Sequence, residues 1–223
     1  MSRLLVVGGS GQGRQVIDAV RAAGRHELVG VLDRALAPGT VVAGVPVVGS
    51  DEAVAEAARA TGADGFVVAV GDNAARAAAT ARAVADAPTL AVVTVAHPAA
   101  TVAADAVVGP GSILLAGSVV ANGCVVGAGV LLGINASLDH DGRLDDHASL
   151  GPGAATGGHV HIGARSAVGL GAAVIQGVTI GEDTVVGAGA VLLGDVPARV
   201  VAYGVPARVA RPRAPGEPYL GLG

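Results

Sequence analysis

From residue 102 to residue 197 the chain can be written as sixteen consecutive hexads without one insertion, from VAADAV, VGPGSI and LLAGSV to VGAGAV and LLGDVP. Fifteen of the sixteen first positions are Val, Leu or Ile, and Thr156 is the exception. Nine second positions are Gly, and the fifth position is small or Val throughout. One large aliphatic and one small residue in every six is the repeat of a parallel β-helix. Sixteen repeats in a single frame exclude a Gly/Ala/Val-rich sequence that scans by chance.

Composition bounds the rest. Only 1% of the 223 residues are aromatic, so the core must be built from Val, Ala, Leu and Ile packed against 36 Gly. All 14 cationic residues are Arg, the net charge is −4 and the pI is near 5.8. That balance, with no interleaved aromatics, argues against nucleic acid as a partner. Mean hydropathy is +0.62, yet the uncharged stretch 106–138 is broken by Gly109, Pro110, Gly111, Gly117, Gly123, Gly127, Gly129 and Gly133. No apolar run of about 18 residues is left to span a membrane. Leu4 to Val7, before Gly8, is too short for a signal h-region. The lone Cys124 forms no internal disulfide and fits a reducing compartment. A soluble cytoplasmic protein is expected.

Residues 1–98 follow another grammar. Arg3–Val7, Glu27–Leu32, Phe66–Val70 and Leu90–Val95 read as strands, and Gly11–Ala23, Asp51–Ala60 and Ala74–Ala85 as helices. Strands separated by helices predict a parallel doubly wound sheet. The fold class is thus a small α/β Rossmann-like sheet of five strands at most, joined to an all-β helix. The expected division is 1–98, 99–212 and a tail 213–223.

One hexad, Leu138-Asp139-His140-Asp141-Gly142-Arg143, breaks the apolar monotony. Histidine near neutral pH can take the proton of an attacking amine or hydroxyl, and a neighbouring carboxylate raises its basicity and fixes its tautomer. The spacing alone allows equally a solvated histidine at a corner. In the other half, Gly8-Gly9-Ser10-Gly11-Gln12-Gly13 lies between a strand and a helix, where backbone N–H groups can hold a phosphate, or where glycines only pack the helix on the sheet. Asp33 follows at the end of the second expected strand, but the glycines do not fit G-x-G-x-x-G, which speaks against a dinucleotide. Cys124, at an inward fifth position, reads as core rather than as a nucleophile. His26, His97, His147 and His161 receive no role, and no metal is expected because no ligand spacing joins His147, His159 and His161.

These motifs together resemble the left-handed parallel β-helix acyltransferases, in which three hexads make one triangular coil. The segment Tyr203-Gly204-Val205-Pro206-Ala207-Arg208-Val209 resembles the one that closes such helices. The N-terminal glycine turn resembles that of one subgroup, the sugar-nucleotide N-acetyltransferases and sialic acid O-acetyltransferases. The resemblance covers the chain from Leu4 to Arg211. It implies acetyl-CoA as co-substrate, a homotrimer with sites between adjacent helices, and acetyl transfer to a nucleotide-linked amino sugar. Alternatives are O-acetylation of sialic acid or a related sugar, or a non-catalytic sugar-nucleotide-binding β-helix.

Carried over by residue, the resemblance makes His140 the general base, supported by Asp141. It sets the Gly158 amide at the acetyl thioester, and Ser149, Leu170 and Ala188 beside the cofactor. Ser10, Gly11 and Gln12 would meet the diphosphate or sugar, Asp33 and Arg34 the base and ribose, and Gly71 would close that pocket. Three positions depart from the family: Gln12 and Ser149 stand where it has histidines, and His159 where it has an uncharged polar residue. A coil of three hexads puts Gly158 beside His140 and His159 beside Asp141. His159 then either makes a surface ion pair of little energy or draws Asp141 away from His140.

Overall fold

The computed structural model describes residues 1–220; residues 221–223 of the expected tail lie outside the described residues. The N-terminal half alternates β1 (Ser2–Val7), α1 (Gly11–Ala23), β2 (His26–Leu32), β3 (Val41–Val42), β4 (Val45–Gly49), α2 (Val54–Thr61), β5 (Gly65–Val68), α3 (Asn73–Asp86) and β6 (Ala91–Val92). The sheet runs β3-β4-β2-β1-β5-β6, parallel except for the β3–β4 hairpin. It therefore has six strands, one more than the expected maximum. The hairpin at Ala43-Gly44 is the missed piece: both residues have positive φ, but its strands are too short to show alternation. Helix α2 starts at Val54 rather than Asp51, because Asp51 and Glu52 are instead engaged by Arg34.

The sheet is buried on both faces. Leu4, Val6 and Val31 pack with Val16, Ile17 and Val20 of α1. Leu5, Val7, Leu32 and Phe66 pack with Val54, Ala57 and Ala83 of α2 and α3. The first of these clusters continues into Ile113, Leu115 and Leu131, so one hydrophobic layer joins the two halves.

The rest of the chain is a three-faced parallel β-helix of two-residue strands. Each strand pairs with the one a full coil of three hexads further on, as in Ile113↔Leu131, Val119↔Ser137 and Val125↔Arg143. First hexad positions point inward and are buried from Leu114 onward. The fifth positions are buried beside them, and small residues there are what fit so narrow an interior. The fourth position turns each corner with left-handed backbone in every hexad from Gly111 to Gly189. Gly serves at eight of these, and Asn135, Asp141, His147, His159, Arg165 and Asp183 at the others. Asn, Asp and His are the side chains that tolerate that region best.

The β-helix begins earlier than the hexad frame indicated. Val95–Ala96 already pairs with Ile113–Leu114 on the face that packs against α1. The expected strand Leu90–Val95 is thus split: β6 belongs to the α/β sheet, and Val95–Ala96 to the first coil. At the other end Val200–Gly204 and Ala207–Pro212 form an antiparallel hairpin that closes the same face. Among the described residues no helix is long and apolar enough to cross a membrane.

Candidate active site

His140 and Asp141 lie in the corner between the strands Ser137–Leu138 and Arg143–Leu144. His140 Nδ1 is 2.9 Å from Asp141 Oδ2, and both side chains are about half exposed. The bond to Asp141 holds the imidazole above its ordinary pKa, and the same bond holds the carboxyl below its own. With Nδ1–H committed to the carboxylate, the Nε2 lone pair is left as the proton acceptor. Gly158 sits directly over this ring in the next coil, where an added Cβ would collide with the imidazole. His159 faces the same pair. Its Nε2 is 3.7 Å from Asp141 Oδ2, and its ring meets the His140 ring edge-on, with centroids 5.2 Å apart.

The same next coil is built differently from the others. Thr156, the one non-aliphatic first position, is buried and takes the Asp139 N–H on its Oγ1 at 3.1 Å, while its hydroxyl lies 3.4 Å from the Ser137 carbonyl. Only Ser137↔Ala155 remains of the ladder pair there. Cys124 Sγ donates to the Asp139 carbonyl at 3.1 Å. The exception in the repeat thus ties down the turn that carries His140.

A cleft of about 480 Å³ opens on another part of the surface, where the N-terminal half meets the β-helix. Gln12 and Gly71 line it from one side, and Ser149, Leu170 and Ala188 from the other. Leu170 is 60% exposed, an apolar side chain left open to the cleft. The Gln12 side-chain nitrogen is buried without a partner among the described residues. His140, Asp141 and Gly158 do not line this cleft; they occupy the next corner of the prism.

The glycine turn joins β1 to α1. An added Cβ at Gly13 would strike the Gly8 carbonyl, so these two glycines serve close packing of helix on strand. Gly11 is different, because a Cβ there would meet only Arg14, at 3.8 Å. Ser10 caps α1 without a side-chain hydrogen bond, leaving its hydroxyl and the first helical N–H groups open. The Asp33 carboxylate accepts from the N–H groups of Gly9 at 2.7 Å and Ala35 at 2.8 Å, so it fixes the turn. The Arg34 guanidinium is taken up by Asp51 at 2.7 Å and Glu52 at 2.9 Å.

The PglD N-terminal domain family model matches residues 3–83. A histidine-to-asparagine variant of perosamine N-acetyltransferase from Caulobacter crescentus, solved with CoA and GDP-perosamine, is 36% identical. The alignment covers 95% of this chain and 98% of that one, with a TM-score of 0.88. The chain belongs to the hexapeptide-repeat sugar-nucleotide N-acetyltransferases.

The acetyltransferase domain of PglB from Neisseria gonorrhoeae, in complex with acetyl coenzyme A, is 34% identical over 93% of this chain and 98% of that one, with a TM-score of 0.87. WeeI from Acinetobacter baumannii shares the fold at 24% identity, with a TM-score of 0.77 over 94% and 100% of the two chains. No curated protein matches the sequence.

In this N-acetyltransferase several residues that the sequence did not single out hold the two halves together. Arg76 of α3 is 1% exposed, and burial lowers its pKa to about 10. It donates to the carbonyls of Gly129 at 2.8 Å and His147 at 2.9 Å, and to Asn73 Oδ1 at 2.7 Å. Asn73 in turn donates to the Ser166 carbonyl at 3.0 Å. Burial, and then Arg76, push His147 below its ordinary pKa, and its ring lies against Gly129 of the preceding coil. The expected tail is part of the cleft. Arg213 is buried and donates to the Asp183 carbonyl, and Tyr219 reaches Asn73 Oδ1 at 3.1 Å and the Gly71 carbonyl at 3.3 Å. An Arg in an Ala-rich helix and a Tyr in a Pro/Gly-rich tail carry no local signal of these roles.

Proposed function

We propose that this acetyl-CoA-dependent N-acetyltransferase acts on a nucleotide-linked amino sugar by direct transfer, with His140 as the general base. The reading rests on one observation above others: a His–Asp pair sits directly under a glycine, in a chain similar along its whole length to an N-acetyltransferase. The neutral amine of the sugar attacks the thioester carbonyl. As the C–N bond forms, His140 Nε2 accepts the proton, and the imidazolium is stabilised by Asp141. When the tetrahedral intermediate collapses, the C–S bond breaks and the departing CoA thiolate takes a proton back. The Gly158 N–H is the donor assigned to the carbonyl oxygen. Thr156 and Cys124 act as positioning residues by fixing the backbone at Asp139.

For the sugar nucleotide we assign the diphosphate to Ser10, Gly11 and Gln12 at the start of α1. Asp33, Arg34 and Gly71 shape that pocket. Asp33 does so chiefly through the turn it holds, and Arg34 would have to exchange Asp51 for the ligand. Ser149, Leu170 and Ala188 are assigned to CoA.

The His140 corner and the cleft lie on different corners of one prism, so a complete site needs a second copy to bring its corner against the cleft. A homotrimer, closed so that each corner is used once, satisfies this. A cytoplasmic setting is part of this reading, with the lone Cys124 of the sequence fitting a reducing compartment.

Thiol release from acetyl-CoA, measured with GDP-, UDP-, dTDP- and CMP-linked amino sugars, tests the reading. One nucleotide class should support turnover, with NMR locating the acetyl group on nitrogen. Acetyl on a hydroxyl, or tight binding of a sugar nucleotide without thiol release, would contradict it.

A further inference from the structure

We infer that His140, Asp141 and His159 form a binding site for a divalent first-row transition cation, for which Zn²⁺ is the natural probe. One donor atom from each of the three lies within 4.8 Å of the other two. The spacing suits the ion. Zinc bound at about 2.0–2.1 Å to nitrogen and oxygen in a tetrahedron sets its ligands about 3.3 Å apart. The two separations to Asp141 Oδ2, 2.9 Å from His140 Nδ1 and 3.7 Å from His159 Nε2, fall on either side of that value. All three side chains are about half exposed and project from adjacent coils, so the small adjustment costs no core packing.

The chemistry of the donor set selects the class of ion. Two imidazoles and one carboxylate suit zinc and its neighbours, whereas magnesium and calcium prefer oxygen alone. The fourth position stays open to water. His159 is the residue that makes the site, because without it only an ordinary His–Asp pair remains. Its backbone is anchored there by donation to the His140 carbonyl at 2.9 Å, which fixes the register of the two corners.

Occupancy has a chemical consequence. A cation on Nδ1 displaces the shared proton and leaves Nε2 as an N–H, with no lone pair to receive the proton of an attacking amine. The site is therefore inhibitory. This consequence, unlike the binding itself, rests on His140 being the base.

The test separates the two. Calorimetry of the full chain with Zn²⁺ should show one saturable site per chain that excess Mg²⁺ does not displace. Co²⁺ in its place should give the visible absorption of a four-coordinate ion. His159→Gln should weaken binding by about tenfold or more, since even outer-shell partners of a metal site are worth that much. His161→Gln, on the neighbouring face, should leave it unchanged. Zn²⁺ should suppress acetyl transfer by the wild type, a chelator should restore it, and His159→Gln should resist. Absence of saturable binding, or binding equally tight in His159→Gln and Asp141→Asn, would overturn the site. Binding that His159→Gln weakens, with turnover indifferent to Zn²⁺, would uphold the site and remove His140 from the role of base.

Discussion

At the scale of single residues, the site depends on which proton sits where. Asp141 raises the His140 pKa, so the protonated form persists to a higher pH than in free histidine, and with His140 as the proposed base the acidic limb of kcat/KM should lie above about 6.5. Removing the carboxylate lowers that pKa. Asp141→Asn should therefore shift the acidic limb to lower pH with a lower plateau, and a shift to higher pH would rule out the role given to Asp141. Gly158→Ala should fold normally, because its φ is not in the left-handed region and its new Cβ meets only an exposed ring. It should nonetheless lower kcat by displacing the imidazole, and a wild-type kcat would show that the ring need not lie under the glycine. The His–Asp–Gly arrangement was legible in the sequence because a coil of three hexads converts spacing into contact. The grip of Thr156 on Asp139 was not: a single Thr among aliphatic first positions reads as tolerance until the lost ladder pair reveals its purpose.

At the scale of elements, the repeat announced its own interior and faces, but not its ends. The hexad at Ala96 lacks a large aliphatic first residue, so the first coil was invisible without its partner Ile113–Leu114. The polar part of the joint between the halves was equally hidden, since it is made from backbone carbonyls that no side-chain pattern records. Arg76 donates to three of them, those of Gly129, His147 and Ala148. Arg76→Met would leave several buried carbonyls without donors, each costing about 1–3 kcal/mol. Differential scanning calorimetry should show the N-terminal half melting apart from the β-helix and at lower temperature. A single transition at the wild-type Tm would mean that the apolar layer from Ile113 to Leu131 holds the halves by itself.

At the scale of the whole molecule, the proposed base and the cleft lie on different corners of one chain, and the proposed trimer would reunite them. Two inactive variants offer a direct check. His140→Ala lacks the base, and Ala188→Trp should fill the cleft. Mixed and reassembled, they should recover part of the wild-type turnover, because some interfaces combine an intact corner from one copy with an intact cleft from another. Native mass spectrometry would establish that mixed oligomers form, and mixed trimers without recovered activity would place base and cleft in the service of the same chain.

The central claim is that His140 takes the proton of the attacking amine, and its replacement measures this most directly. His140→Ala removes an exposed side chain from a turn held by Thr156 and Cys124, so the Tm and the affinity for both substrates should stay close to wild type. The loss should fall on kcat, by about 10² to 10⁴-fold, the usual contribution of a general base. A His140→Ala enzyme with the wild-type kcat across the pH range would contradict the assignment.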